Sequence, residues 1–386
     1  MDIAERVFES REKIHYFDFS ATCFMPRCVI DKWVEVNEVC GVSIGRGNSS
    51  LTKKAEEYLN DAEDEFFDFF GVSQDYEMVY AKNVTEAINV VSLSVKKLFA
   101  PLDIIMVAPY EHHSNYLPWK RLATDTGALF FEIPIDENGD VDLKFIEKYK
   151  NRVKLIALSS VSNSFGYTLD VKAILDCLST DTVVVVDESQ LVGHDKIYVD
   201  DRVTVHLLAS HKMYGPKNIA GFYAKKSFLE MIDPVFLGGG MVERVGYVSE
   251  WKSGRDKFVA GTLDISLISA WAEACRYLKR LSFESIKKQE KIYMERISAS
   301  LKKSGNIVVG NREKCCDYII TFYNEKIHAH DINDLFCKNG IIIRSGNLCA
   351  QNAIRKLNNN AVNRISLGIG VDERDVDCLC ELLEGL

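Results

Sequence analysis

Between residues 76 and 225 the chain alternates short apolar runs with amphipathic segments. One run, Val183-Val184-Val185-Val186, is continuously β-branched before it ends on Asp187. A strand without a polar face belongs inside a sheet that is covered on both sides. Comparable runs occur at 76–81, 104–108, 129–133, 153–159, 203–210 and 219–224, with helical stretches at 85–99, 116–126 and 171–178 between several of them. This alternation predicts an α/β protein with a mostly parallel, seven-stranded sheet.

Further along, 266–303 reads as one long, charge-laced helical region without proline. After Gly305 the pattern changes, with strands expected at 306–309, 317–322 and 341–344 and a helix at 330–338. A smaller α+β domain follows from this, and 386 residues leave room for it. The expected division is an N-terminal segment over 1–20 packed on the small domain, a large domain over 21–280 and a small domain over 281–386.

Charge and composition remove several classes. Lys plus Arg number 47 against 56 Asp plus Glu, a net charge of −9 that gives no general attraction to nucleic acid or anionic lipid. No apolar run approaches the ~20 residues of a membrane span, and Met1-Asp2-Ile3-Ala4-Glu5-Arg6 does not open like a secretory signal. The eleven cysteines are odd in number and include no C-x-x-C pair, so most are expected to be reduced, small hydrophobes in a cytoplasmic protein.

Familiar nucleotide motifs are missing. Gly45-Arg46-Gly47 lacks the third glycine of a dinucleotide fingerprint, and Gly238-Gly239-Gly240 has no strand–helix setting and reads as a tight loop. Adjacent His112 and His113 diverge too much to chelate a metal, and His328-Ala329-His330 alternates as in a strand or turn; no metal site is expected.

Three other features fit together. Asp187 ends an apolar strand at the edge where parallel sheets bind ligands. Ser210-His211-Lys212 follows a second such strand, and Asn83-Val84-Thr85-Glu86 joins a strand to a helix N-terminus. An imine-forming lysine, a carboxylate for a pyridinium nitrogen and a phosphate site at a helix end are the parts of a pyridoxal phosphate pocket. Singly, Asp187 is an ordinary cap and Lys212 an ordinary surface lysine. His112 adds a ring able to lie on an aromatic cofactor.

With these motifs in order, the chain resembles the fold-type I, class V aminotransferase superfamily, and within it the SufS-like cysteine desulfurases. The resemblance runs through Tyr16-Phe17-Asp18, Arg46-Gly47, Thr85-Glu86-Ala87-Ile88-Asn89, Glu111-His112-His113-Ser114-Asn115, Val161-Ser162-Asn163, Asp187 with Gln190, Ser210-His211-Lys212-Met213-Tyr214-Gly215-Pro216, Ala260-Gly261-Thr262, Arg344-Ser345-Gly346 and Cys349-Ala350-Gln351. It implies that Lys212 holds the cofactor covalently, Asp187 partners the ring nitrogen, and Gln190 and Asn163 contact the ring oxygen. His112 would stack on the ring. Thr85, Ser210 and His211 would hold the phosphate, with Thr262 reaching in from a second subunit of a homodimer. Arg364 matches the arginine for the substrate carboxylate, and Arg344 lines the same pocket. Cys349, fifteen residues before Arg364, matches the persulfide-forming cysteine, so L-cysteine is the favoured substrate and a sulfur-acceptor protein a possible partner.

The chain departs from that family around the substrate. Asn347-Leu348 replaces a usual pair of histidines, Asn352 a proline, Glu188-Ser189 the usual Gly-Ala, and Ser49 a histidine, while Leu367-Gly368-Ile369-Gly370 lacks the usual Tyr-Asn. At this level a C–S or selenocysteine lyase, an aminotransferase, an epimerase or a non-catalytic partner-binding protein of the same fold remain open beside the desulfurase.

Overall fold

The computed structural model describes residues 14–44, 47–136, 139–357 and 359–386. Residues 1–13 of the expected N-terminal segment, and Arg46 of the Arg46-Gly47 motif, lie outside these. A short strand, β1 (His15–Tyr16), precedes two helices that the alternating pattern does not announce, Arg27–Cys40 and Ser50–Phe70. Ser49 caps the second, its Oγ accepting the Thr52 N–H at 3.1 Å, and Gly71 ends it in the left-handed region at φ 68°. Both helices pack on Ile265–Leu281.

All seven expected strands form: β2 (Tyr76–Ala81), β3 (Ile104–Val107), β4 (Leu129–Glu132), β5 (Val153–Ser159), β6 (Val183–Asp187), β7 (Val205–Ala209) and β8 (Ala220–Lys225). Their order is β2-β8-β7-β6-β5-β3-β4, so the continuously apolar β6 sits at the centre, buried along its whole length. β8 runs antiparallel to β2 and β7, and every other pairing is parallel. Six strands therefore deliver their carboxyl ends to one edge. Gly238-Gly239-Gly240 is a loop, and beyond it β9 (Val242–Arg244) and β10 (Glu250–Trp251) form a separate ribbon.

The helical region over 266–303 is two helices rather than one, Ile265–Leu281 and Phe283–Lys303. Ser282 breaks it at φ 62°, and its Oγ accepts the Ser285 N–H at 3.3 Å to start the second helix. No proline is needed where a hydroxyl can satisfy a helix end.

The smaller sheet begins with β11 (Ile307–Val308) and β12 (Ile319–Tyr323). The strand expected over 341–344 divides between two sheets. β13 (Ile341–Ile342) runs parallel to β1, and β14 (Arg344–Gly346) joins β15 (Val362–Ser366) in the antiparallel order β11-β12-β15-β14. The apolar run thus serves two partners, with buried Ile343 at the changeover. His328-Ala329-His330 is not strand-like either. His328 caps the helix Ala329–Lys338, its Nδ1 accepting the His330 N–H at 3.3 Å. One hydrophobic cluster, containing Phe17, Phe66, Trp271, Ile319 and Ile365, joins the large and small sheets.

Candidate active site

Chain segments leaving β2, β3, β5, β6 and β7 converge at the common carboxyl edge around a cavity of about 350 Å³, a size typical of small-molecule sites. Of the residues singled out from the sequence, Thr85, His112, Asn163, Asp187, Gln190, His211, Lys212, Arg344, Cys349 and Arg364 all line it. Ser210 lies just behind the wall, fully buried. Thr262 is not in this cavity. It lines another, of about 530 Å³, with Gly240 and Arg255, so within one chain it does not reach Lys212.

Asp187 is the last residue of β6, and its Oδ1 accepts the Ser189 N–H at 2.9 Å. Burial pushes its carboxyl above the usual range, opposed by that hydrogen bond and by the charge of Lys212. Lys212 ends a single helical turn, Ser210–Lys212, directly after β7. Burial pushes its ammonium down, opposed by Asp187. Burial, followed by the charge of Lys212, holds His112 down to about 3. Its Nδ1 accepts the Ser114 N–H at 3.1 Å, so the neutral ring carries its proton on Nε2.

The His112 turn is fixed from below by Glu111, which sequence reasoning passed over. Glu111 is 4% exposed and accepts from Ser159 N (2.7 Å), Ser159 Oγ and Asn115 Nδ2 (2.7 Å). Asn115 Oδ1 in turn accepts from Trp119 Nε1 at 2.9 Å. Burial pushes Glu111 up to about 8.

At the start of the helix Val84–Ser94, Asn83 Oδ1 caps it by accepting the Glu86 N–H at 2.9 Å, and Thr85 Oγ1 lies 2.7 Å from Ser114 Oγ. Ser210 Oγ and His211 Nε2 are buried without a hydrogen-bond partner. Gln190 Nε2 donates to Ser20 O at 3.1 Å.

The arginines are arranged by Asp18, whose motif the sequence displays but whose task it does not. Asp18 is 4% exposed; its Oδ1 accepts from Arg364 Nη2 at 2.9 Å and its Oδ2 from Arg344 Nη2 at 2.6 Å. Arg364 also donates from Nη1 to Asn163 O at 2.8 Å, while its buried Nε has no partner. A planar fork held on two sides, with N–H donors to spare, is suited to a carboxylate.

Cys349 is exposed at the same cavity, on a tight turn. Leu348 and Cys349 adopt φ of 52° and 53°, a conformation that costs a side-chain-bearing residue about 1–3 kcal/mol. Asn163 Nδ2 donates to Leu348 O at 2.8 Å, and the His113 N–H to Cys349 O at 2.7 Å. Among the described residues no group of His, Cys, Asp and Glu is placed to hold a metal, and no helix is long and apolar enough to cross a membrane.

The class V aminotransferase profile matches residues 15–379, nearly the whole chain. The chain belongs to the class V aminotransferase family. It is 30% identical over 381 residues to a probable cysteine desulfurase of Pyrococcus abyssi, covering 97% of this chain and 94% of that one. A probable cysteine desulfurase of Halalkalibacterium halodurans is also 30% identical, over 96% and 92% of the two chains. Among solved structures, the apo cysteine desulfurase of Thermococcus onnurineus superposes with a TM-score of 0.93 at 29% identity, covering 100% of this chain and 98% of that one. A cysteine desulfurase of Escherichia coli, at 23% identity over 96% and 94%, has the same fold with a TM-score of 0.87.

Class V members work with pyridoxal phosphate. The residues here fit that group. The unpartnered Ser210 Oγ and His211 Nε2 lie beside Lys212 where an anion would satisfy them, and Asp187 supplies a buried carboxylate for a ring nitrogen. The donors and the acceptor that such a cofactor needs are both present.

Proposed function

We propose that this chain is a pyridoxal phosphate-dependent cysteine desulfurase, which converts L-cysteine to L-alanine and leaves the sulfur as a persulfide on Cys349. The observation that carries the reading is the exposed Cys349 on the wall of the cavity that also holds Lys212 and Arg364. Sequence relatives named as probable cysteine desulfurases, matching over almost their full length, support it.

The cofactor, bound to Lys212, supplies an electron sink for the bond broken at Cα. Arg364 would fix the substrate carboxylate, since Asp18 and Asn163 O take only two of its five N–H donors. Lys212 Nζ, when not holding the cofactor, would remove the Cα proton and return a proton as the product forms. Asp187 holds the ring nitrogen's proton. His112, neutral and carrying N–H on Nε2, would cover the ring without adding charge.

Cys349 Sγ attacks the substrate sulfur. The new S–S bond forms as the Cβ–S bond breaks, and its electron pair stays with the substrate carbon, which takes up a proton to become the alanine methyl group. The balance is L-cysteine plus a thiol giving L-alanine plus a persulfide. A thiol-bearing acceptor protein then takes the sulfur. We assign the cofactor to residues 21–280, the small domain to 281–386, the working form to a homodimer with Thr262 contributed across the interface, and the location to the cytoplasm.

The test is to incubate the purified holoenzyme with L-cysteine and measure alanine, pyruvate and sulfide separately. Alanine is expected, together with a one-sulfur mass gain on the Cys349 peptide. Cys349→Ala should keep the cofactor and lose both. Pyruvate as the main product, or undiminished turnover by Cys349→Ala, would replace the desulfurase with a lyase.

A further inference from the structure

The reaction just described gives no part to His113, yet His113 touches the thiol-bearing loop twice. Its backbone N–H donates to Cys349 O at 2.7 Å, and its Nε2 accepts the Gln351 N–H at 3.1 Å. The two contacts enclose Ala350, directly after Cys349. Immediately before them the backbone is in the left-handed region at both Leu348 and Cys349. Residues with side chains stay there only when the surroundings hold them.

The second contact also mends a helix end. Gln351 opens the short helix Gln351–Arg355, whose N-cap position is Ala350, and alanine offers no side-chain acceptor. His113 supplies the missing acceptor from a different part of the fold, the turn after β3. Accepting at Nε2 requires the ring proton on Nδ1, so only the neutral imidazole serves, and burial pushes His113 below its ordinary pKa. Asn163 holds the other side of the turn through Leu348 O, and its own backbone oxygen accepts from Arg364. The thiol loop and the arginine for the substrate carboxylate therefore share an anchor.

We propose that the His113 imidazole is a positioning residue for Cys349, latching the start of Gln351–Arg355 so that the preceding left-handed turn presents the thiol to the cavity. The proposal rests on the reading of Cys349 as the sulfur-accepting residue. It predicts that losing the imidazole acceptor misplaces the thiol while leaving cofactor and substrate binding intact.

The experiment compares His113→Leu and His113→Gln as holoenzymes. Leucine keeps bulk and removes the acceptor, whereas the glutamine carbonyl reaches about as far along the side chain as Nε2. For His113→Leu, the cofactor absorbance is retained and KM for L-cysteine stays within about twofold, while alanine formation falls about 10- to 100-fold, the scale of a misplaced reacting group. Hydrogen exchange at the Gln351 amide, read on a peptide over 349–355, rises about tenfold as one hydrogen bond is lost. His113→Gln restores most of both. If leucine does not fold, His113→Asn replaces it, being too short to reach Gln351.

Unchanged exchange at Gln351 in an acceptor-lacking variant overturns the latch. So does lost protection with undiminished alanine formation, or failure of a folded, cofactor-loaded His113→Gln to recover either property. The exchange measurement needs no turnover. Full activity of Cys349→Ala would instead overturn the role of the thiol, so the two failures are separable.

Discussion

Arg344 and Arg364 stand directly opposite each other across β14 and β15, in register on antiparallel strands. Like charges so placed repel, and the fold answers with Asp18, one carboxylate oxygen to each guanidinium. Two positive groups and one negative leave a net positive charge, enough for one substrate carboxylate. The segment just before Asp18 is itself bound into the small sheet, through the Ser366 N–H to Phe17 O at 2.8 Å.

Removing that carboxylate strands a buried arginine. Asp18→Ala is expected to lower unfolding free energy by about 3–5 kcal/mol, the usual cost of breaking a buried pair from one side. Urea unfolding of the holoenzyme measures it. An unchanged midpoint would mean that solvent already serves Arg364 in place of Asp18.

Arg364→Lys tests the fork rather than the charge. A single ammonium cannot face Asp18, Asn163 O and a substrate carboxylate in one plane, so KM for L-cysteine should rise about tenfold or more. Cofactor absorbance should not change, because Arg364 is assigned to the substrate alone. Steady-state kinetics at saturating cofactor provides the check, and an unaltered KM would remove Arg364 from that role.

The large sheet was legible because its signal is local. Each strand is an apolar run, and β6 declares its central position by lacking a polar residue before Asp187. The motifs that line the cavity were legible for a similar reason, since His112, Asp187 and Lys212 each belong to a few consecutive positions at or just past a strand end. What the sequence hides is pairing between distant segments. Nothing near Asp18 announces that Arg344 and Arg364 will share it, and nothing near His113 announces Gln351. The helix break at Ser282 and the division of 341–344 were also hidden. A serine reads as an ordinary helical residue, and an apolar strand does not say which neighbour it will choose.

Glu111 gives stability a pH dependence. Its pKa is raised from an ordinary 4.5 to about 8 in the folded chain, so the folded state binds more protons than the unfolded state between those values. Its contribution is therefore fully present below 4.5 and is lost as pH rises through about 8. In Glu111→Gln, whose amide stays neutral and still accepts from Ser159, the fall in thermal midpoint across this window should flatten. Thermal unfolding of both proteins over the window decides it. Parallel curves would show that Glu111 is ionised throughout, held by its three hydrogen-bond donors.

Thr262 provides the last test, because it separates a composite site from a self-contained one. It lies away from Lys212 within the chain, in the cavity with Gly240 and Arg255. If it serves the partner's site, a heterodimer of Lys212→Ala with Thr262→Ala contains one site with both residues intact and one with neither. Each parent homodimer has two impaired sites. Random reassortment makes half the dimers mixed, so co-refolded chains should show about a quarter of wild-type alanine formation above the weighted parental rates. The comparison uses equal total protein, mixed before or after refolding. If Thr262 acted within its own chain, or not at all, mixing before refolding would restore nothing, and the shared-site dimer would be abandoned.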